Sequence, residues 1–105
     1  LAATPENKVK KQVKSLLDLH NAYHHWPVQA GYGTACLDCH GCHQSEYFAI
    51  ETKAPGKHPT PRQEIVMRDI QRAGGVVFVI GERVDGKGNY SGMTELSAWL
   101  NRKSK

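Results

Sequence analysis

The chain has 105 residues, enough for one hydrophobic core and a single domain spanning 1–105. It is 39% hydrophobic and 23% charged, as folded proteins are, and no apolar run approaches the roughly 18 residues of a membrane span. Fourteen Lys and Arg stand against ten Asp and Glu, a formal +4, which suits a polyanionic partner without specifying one.

The start, Leu1-Ala2-Ala3-Thr4-Pro5, shows no signal-peptide pattern, so a cytoplasmic protein is expected. Thr4-Pro5-Glu6 is a helix start: an N-cap hydroxyl, a proline at the first position and an acid in the first turn. Val9, Val13, Leu16 and Leu17 follow at helical spacing, and the spacing predicts an amphipathic helix over 5–24 with a lysine-rich outer side. His24 and His25 would then sit at its C-terminal end, where the dipole favours them.

Residues 25–30 read as a short edge strand, because Pro27 cannot donate to a ladder. Gly31-Tyr32-Gly33 breaks the chain. Residues 35–43 and 47–53 read as two strands of a hairpin turning at Gln44-Ser45-Glu46. In the second, Phe48 and Ile50 should face one way and Tyr47, Ala49, Glu51 and Lys53 the other.

Three prolines mark a loop over 54–61. Thr60-Pro61-Arg62-Gln63 opens the next helix with a full capping box, and Ile65, Val66, Ile70 and Ala73 form its apolar stripe up to Gly74-Gly75. Val76–Ile80 is an unbroken β-branched and aromatic run, expected as a strand buried on both faces. A polar, Gly-rich loop over 82–92 leads to a short last helix over 93–102, with Leu96, Trp99 and Leu100 inward. The order α-β-β-β-α-β-α predicts an α/β domain with a small mixed central sheet and a short C-terminal helix.

All three cysteines lie between residues 36 and 42, an odd and clustered set that argues against a disulfide framework. Cys36-Leu37-Asp38-Cys39-His40 matches the spacing for covalent c-type haem, with Met67 or Met93 as the distal ligand. The same segment offers Cys36, Cys39, Cys42 and either His40 or His43 to a zinc ion, the alternative reading being a zinc-stabilised nucleic-acid-binding module. His40 and His43 also flank the acidic site described next.

That site is Asp38 with Glu51-Thr52-Lys53 and the helix residue Gln63. Glu51 and Lys53 are two apart on one strand and share a face, and the hairpin brings Asp38 opposite Glu51. Converging carboxylates call for a cation, and hard oxygen ligands select Mg²⁺ or Mn²⁺, with the Thr52 carbonyl as a further oxygen. A lysine there can orient a water and offset charge on a phosphate.

Three stretches carry a family resemblance: Gly33-Thr34-Ala35-Cys36-Leu37-Asp38, Phe48-Ala49-Ile50-Glu51-Thr52-Lys53-Ala54-Pro55-Gly56-Lys57, and Pro59-Thr60-Pro61-Arg62-Gln63. Together they resemble the virus-type replication-repair nuclease (VRR-NUC) domain of the PD-(D/E)xK superfamily, over about residues 5–81. The resemblance implies a restriction-endonuclease-like core and a Mg²⁺-dependent DNA endonuclease, similar to small phage-encoded Holliday junction resolvases. By the same carry-over, Asp38 and Glu51 are metal ligands, Lys53 is the motif lysine and Gln63 supports the site. Glu6 falls where the family carries an assisting acid. Leu37 departs from the proline that members often have before the aspartate.

DNA contacts are expected from Lys57 and Arg62 beside the site, from Lys10 and Lys14 on the first helix, and from base stacking on Tyr32. Symmetric junction cleavage implies a homodimer, with the apolar faces of the first and last helices as candidate interfaces. The expected setting is a bacterial cytoplasm, with neither membrane nor small-molecule cofactor involved.

Overall fold

A computed structural model describes residues 4–28 and 36–103. Three helices and four strands alternate as α1 (Pro5–Leu19), β1 (Tyr23–His25), β2 (Cys39–His43), β3 (Glu46–Thr52), α2 (Pro61–Arg72), β4 (Val76–Ile80) and α3 (Met93–Lys103). The sheet order is β1-β2-β3-β4. The first two pairings are antiparallel and β3–β4 is parallel, so the sheet is mixed and α2 is its crossover. Tyr32, the Gly31-Tyr32-Gly33 break and the segment 33–35 lie outside the described residues.

Both expected helix starts form. The Thr4 hydroxyl accepts from Asn7 N–H. At α2, Thr60 and Gln63 cap each other reciprocally. The first helix stops at Leu19 rather than 24. Asn21 turns left-handed (φ 56°), and Ala22 N–H reaches back to Leu17 O at 3.0 Å. That is a Schellman stop, in which asparagine tolerates the conformation glycine usually supplies. His24 and His25 therefore lie on β1, and the strand expected at 25–30 forms instead at Tyr23–His25, ending before Pro27.

β2 is also shorter than expected: Cys36, Leu37 and Asp38 precede it. The β2–β3 turn is two residues, Gln44 (φ 50°) and Ser45 (φ 72°), and Glu46 already pairs with His43. Both turn residues occupy the conformation of the twist-matched hairpin turn, normally given to Asn-Gly. Gly41 is required where β1 crosses it, because a Cβ there would stand 1.8 Å from Tyr23 O.

The strands divide two cores. On one face, Val9, Val13 and Leu17 of α1 and Leu96, Trp99 and Leu100 of α3 enclose Cys39, Phe48, Ile50, Phe78 and Ile80. On the other, Met67, Val66 and Ile70 of α2 cover Leu37, Ala49, Val77 and Val79. Ile65, expected inward, is 53% exposed, and Ala73 is exposed too; the inward stripe is Val66, Met67 and Ile70. β4 is fully buried only at Phe78 and Ile80. The apolar faces of α1 and α3, expected as a dimer interface, are consumed inside the chain's own core. Among the described residues no helix is long and apolar enough to cross a membrane.

Candidate active site

Register places the site at one end of the sheet. Cys39 pairs with Ile50, so Asp38, one residue earlier, extends the rung of Glu51. Asp38 N–H donates to Glu51 Oε1 at 3.3 Å. Thr52 N–H and its hydroxyl both donate to Asp38 Oδ2, at 2.9 and 2.7 Å. Thr52 is thus a clamp on the aspartate, a role the spacing alone did not reveal.

Glu51 is 2% exposed. Its Oε2 accepts from Gln63 Nε2 at 2.9 Å and lies 3.3 Å from Lys53 Nζ. Gln63 works at both ends of its amide: Oε1 caps α2 through Thr60 N–H while Nε2 holds Glu51. The capping box therefore fixes the helix start and the carboxylate together. Lys53 N–H donates to Ile80 O at 2.9 Å, and a Cβ at Gly81 would stand 2.0 Å from Lys53 O. Glycine at 81 is what lets the chain after β4 pass this close to Lys53.

Burial, reinforced by the neighbouring Asp38 charge, pushes the Glu51 carboxyl up to about 7 despite the opposing pull of Lys53. One lysine is insufficient compensation for two carboxylates this sheltered. Asp38 Oδ1, for its part, has only the 4.0 Å approach of Lys10 Nζ among the described residues. A hard divalent cation fits this donor set: two sheltered carboxylates short of positive charge, with water free to complete the shell, as Mg²⁺ prefers.

Two expected contributors take other places. Glu6 does not join the pair; it is held by Lys10 at 3.4 Å, one helical turn away. Among the described residues no third Asp, Glu, His or Cys joins Asp38 and Glu51 to make a metal cluster. Lys10, expected on DNA backbone, instead bridges Glu6 and Asp38 at the site. The i,i+4 spacing of Glu6 and Lys10 was the available signal. Lys14 lies over the Trp26 ring, 4.9 Å from its centroid. Lys57 and Arg62 are exposed, on the loop after β3 and the first turn of α2.

The cysteine readings do not survive strand alternation. Cys39 is buried in the α1/α3 core, its thiol pushed up to about 12 chiefly by that burial. Cys42 is exposed on the opposite face, and Cys36 lies before the strand. No zinc set converges among the described residues, and Cys39 is turned away from any haem that Cys36 could hold. His40 and Cys42 share the α2 side, whereas His43 is buried against α3, its Nε2 3.2 Å from Leu100 O.

The largest groove lies away from these groups, between the β2–β3 turn and the end of α2; Tyr47, Val66 and Ile70 line it, and its volume is about 560 Å³. The carboxylates sit at an exposed sheet end instead, which suits a polymer passing over the surface better than a small molecule enclosed in a cavity. No protein-family model matches the chain, and no curated protein matches it in sequence.

Proposed function

We propose that the chain is a divalent-metal-dependent DNA endonuclease with a restriction-endonuclease-like core, similar to VRR-NUC enzymes. The observation that carries this reading is the joining of Asp38, Glu51, Lys53 and Gln63 in one bonded cluster at the end of β3. A bound Mg²⁺ or Mn²⁺, held by Asp38 and Glu51 with the Thr52 carbonyl, would supply charge neutralisation at the phosphate.

The chain's own groups do the rest. Thr52 fixes the Asp38 rotamer, and Gln63 fixes that of Glu51. Lys53 Nζ orients the attacking water and offsets the charge that grows on the phosphate oxygens. In-line displacement of the 3′ oxygen leaves 5′-phosphate and 3′-hydroxyl ends. Lys57 and Arg62 hold the backbone beside the cut, and Lys10 contributes its charge at Asp38. Branched DNA is the favoured substrate, cut by a homodimer in a bacterial cytoplasm.

The test is cleavage of four-way junction, flap and linear duplex DNA with Mg²⁺, comparing the native chain with Glu51→Gln and Lys53→Ala. Native protein should cut branched DNA and both variants should be inert. Equal cleavage by native and variant proteins would remove the site from the reaction.

A further inference from the structure

Cross-strand register sorts the side chains of β1, β2 and β3 onto two faces. On the α2 side, one rung joins His25, His40 and Ala49, and the next joins Tyr23, Cys42 and Tyr47. α2 covers Ala49 and the β4 valines, and its cover ends there. Tyr23 is 67% and Tyr47 43% exposed; His25 is exposed and His40 half-buried. The rings meet one another: His25 and His40 have centroids 5.4 Å apart, His40 and Tyr47 6.1 Å.

This patch contrasts with the chain's other large aromatics. Phe48, Phe78 and Trp99 are packed together inside the α1/α3 core. Four open rings on one face give the monomer little packing in return for their exposure.

The patch is also continuous with the carboxylates. His40 lies two residues from Asp38, and Tyr47 lies two rungs from Glu51, about 14 Å at strand spacing. Charge runs the right way for a nucleic acid. Arg62 recurs at helical spacing with the groove residues Val66, Asp69 and Ala73, so α2 borders the open face with a cation at its site end. Lys53 marks the same end. The acids Glu46 and Asp69 border the groove at the far end, where the platform stops.

We infer that the open face of β1–β3 is a stacking platform for unpaired bases of single-stranded DNA, presented beside the carboxylate site. Imidazole and phenol rings receive the faces of successive bases without reading sequence, while cations at the site end take the backbone. The inference rests on the nuclease reading for its purpose and selects, within it, substrates with unpaired nucleotides next to the cut.

The experiment is fluorescence anisotropy in EDTA, where no metal-dependent cleavage interferes. The probes are a labelled oligothymidine and a duplex of equal length. The native chain should bind the single strand more tightly than the duplex. Tyr47→Ala and His40→Ala should each weaken single-strand binding about tenfold and leave duplex binding within about twofold, while Tyr47→Phe keeps the native affinity. Thermal melting verifies that each variant is folded, and Tyr23→Ala, at the most exposed ring, is the second probe if Tyr47→Ala unfolds. Equal native affinity for the two probes, or unchanged single-strand affinity in the folded ring variants, overturns the inference. So does a dimer that Tyr47→Ala dissociates with no loss of single-strand binding, which would make the face an interface between copies. Ring-dependent binding by a chain that cuts nothing would keep the platform and reject the nuclease. Junction cleavage without such binding would do the reverse.

Discussion

The two faces of β3 divide stability from chemistry. Toward α1 and α3, Phe48, Ile50 and Thr52 are fully buried, the first two among aliphatic and aromatic side chains. Toward α2, Tyr47, Ala49 and Glu51 run from an open ring through a small packed residue to a sheltered carboxylate. One strand thus presents a dry face that offers no reactive group and a face whose polar end is short of positive charge. Seven residues can carry both because the side-chain period is two.

Substitutions on the two faces should fail differently. Lys53→Ala or Glu51→Gln is expected to lower cleavage about 10³-fold or more, equivalent to about 4 kcal/mol in the barrier, with the fold retained. Phe48→Ala should do the opposite: urea unfolding is expected to show a loss of about 3–5 kcal/mol from the Phe48 and Trp99 contact region. If Phe48→Ala leaves stability intact, or Lys53→Ala unfolds the chain, the division of labour is wrong.

The pH dependence of the metal-free protein sharpens the contrast. The Glu51 carboxyl is raised from 4.5 to about 7, so between these values the folded state holds a proton that the unfolded chain has released. Stability from this group is therefore complete below about 4.5 and lost as pH rises through about 7, by at most about 3 kcal/mol. Melting scans should show that loss in the native chain and not in Glu51→Gln, and Mg²⁺ should reverse it above pH 7. An identical pH profile in the two proteins would mean that Glu51 carries no such burden.

Gln63→Ala touches the α2 face only. Cleavage should fall about 10–100-fold as Glu51 loses its orienting amide, with about 1 kcal/mol of stability lost at the cap. A variant with lower stability and full activity would reduce Gln63 to a cap. The smallest effect belongs to neither face: Ser45→Gly relieves the left-handed turn residue and should stabilise the chain by about 1 kcal/mol, read as a higher unfolding midpoint.

Much of this was legible in sequence where local chemistry decides structure. Thr4-Pro5-Glu6 and Thr60-Pro61-Arg62-Gln63 placed both helix starts, and alternation assigned Phe48 and Glu51 to opposite faces. The stop at Asn21 was not legible, because asparagine competes for the left-handed cap only when the following contacts favour it. The strand through 35–43 was drawn too long, since small thiol-bearing residues look β-like whether or not they pair. Lys10 and Thr52 were placed on DNA backbone and as a carbonyl donor; their observed grip on Asp38 depends on how α1 and β3 meet the residue before β2, a tertiary fact. The cysteine cluster pointed to a metal until alternation across β2 separated its members.

The most direct test of the α2 face as a metal centre is a Mn²⁺ titration at pH 8, followed by calorimetry. Native protein should bind Mn²⁺, and Asp38→Asn and Glu51→Gln should each abolish binding while melting as folded proteins. Undiminished Mn²⁺ binding in both variants, or none in the native chain, would contradict the assignment of these two carboxylates to one metal site.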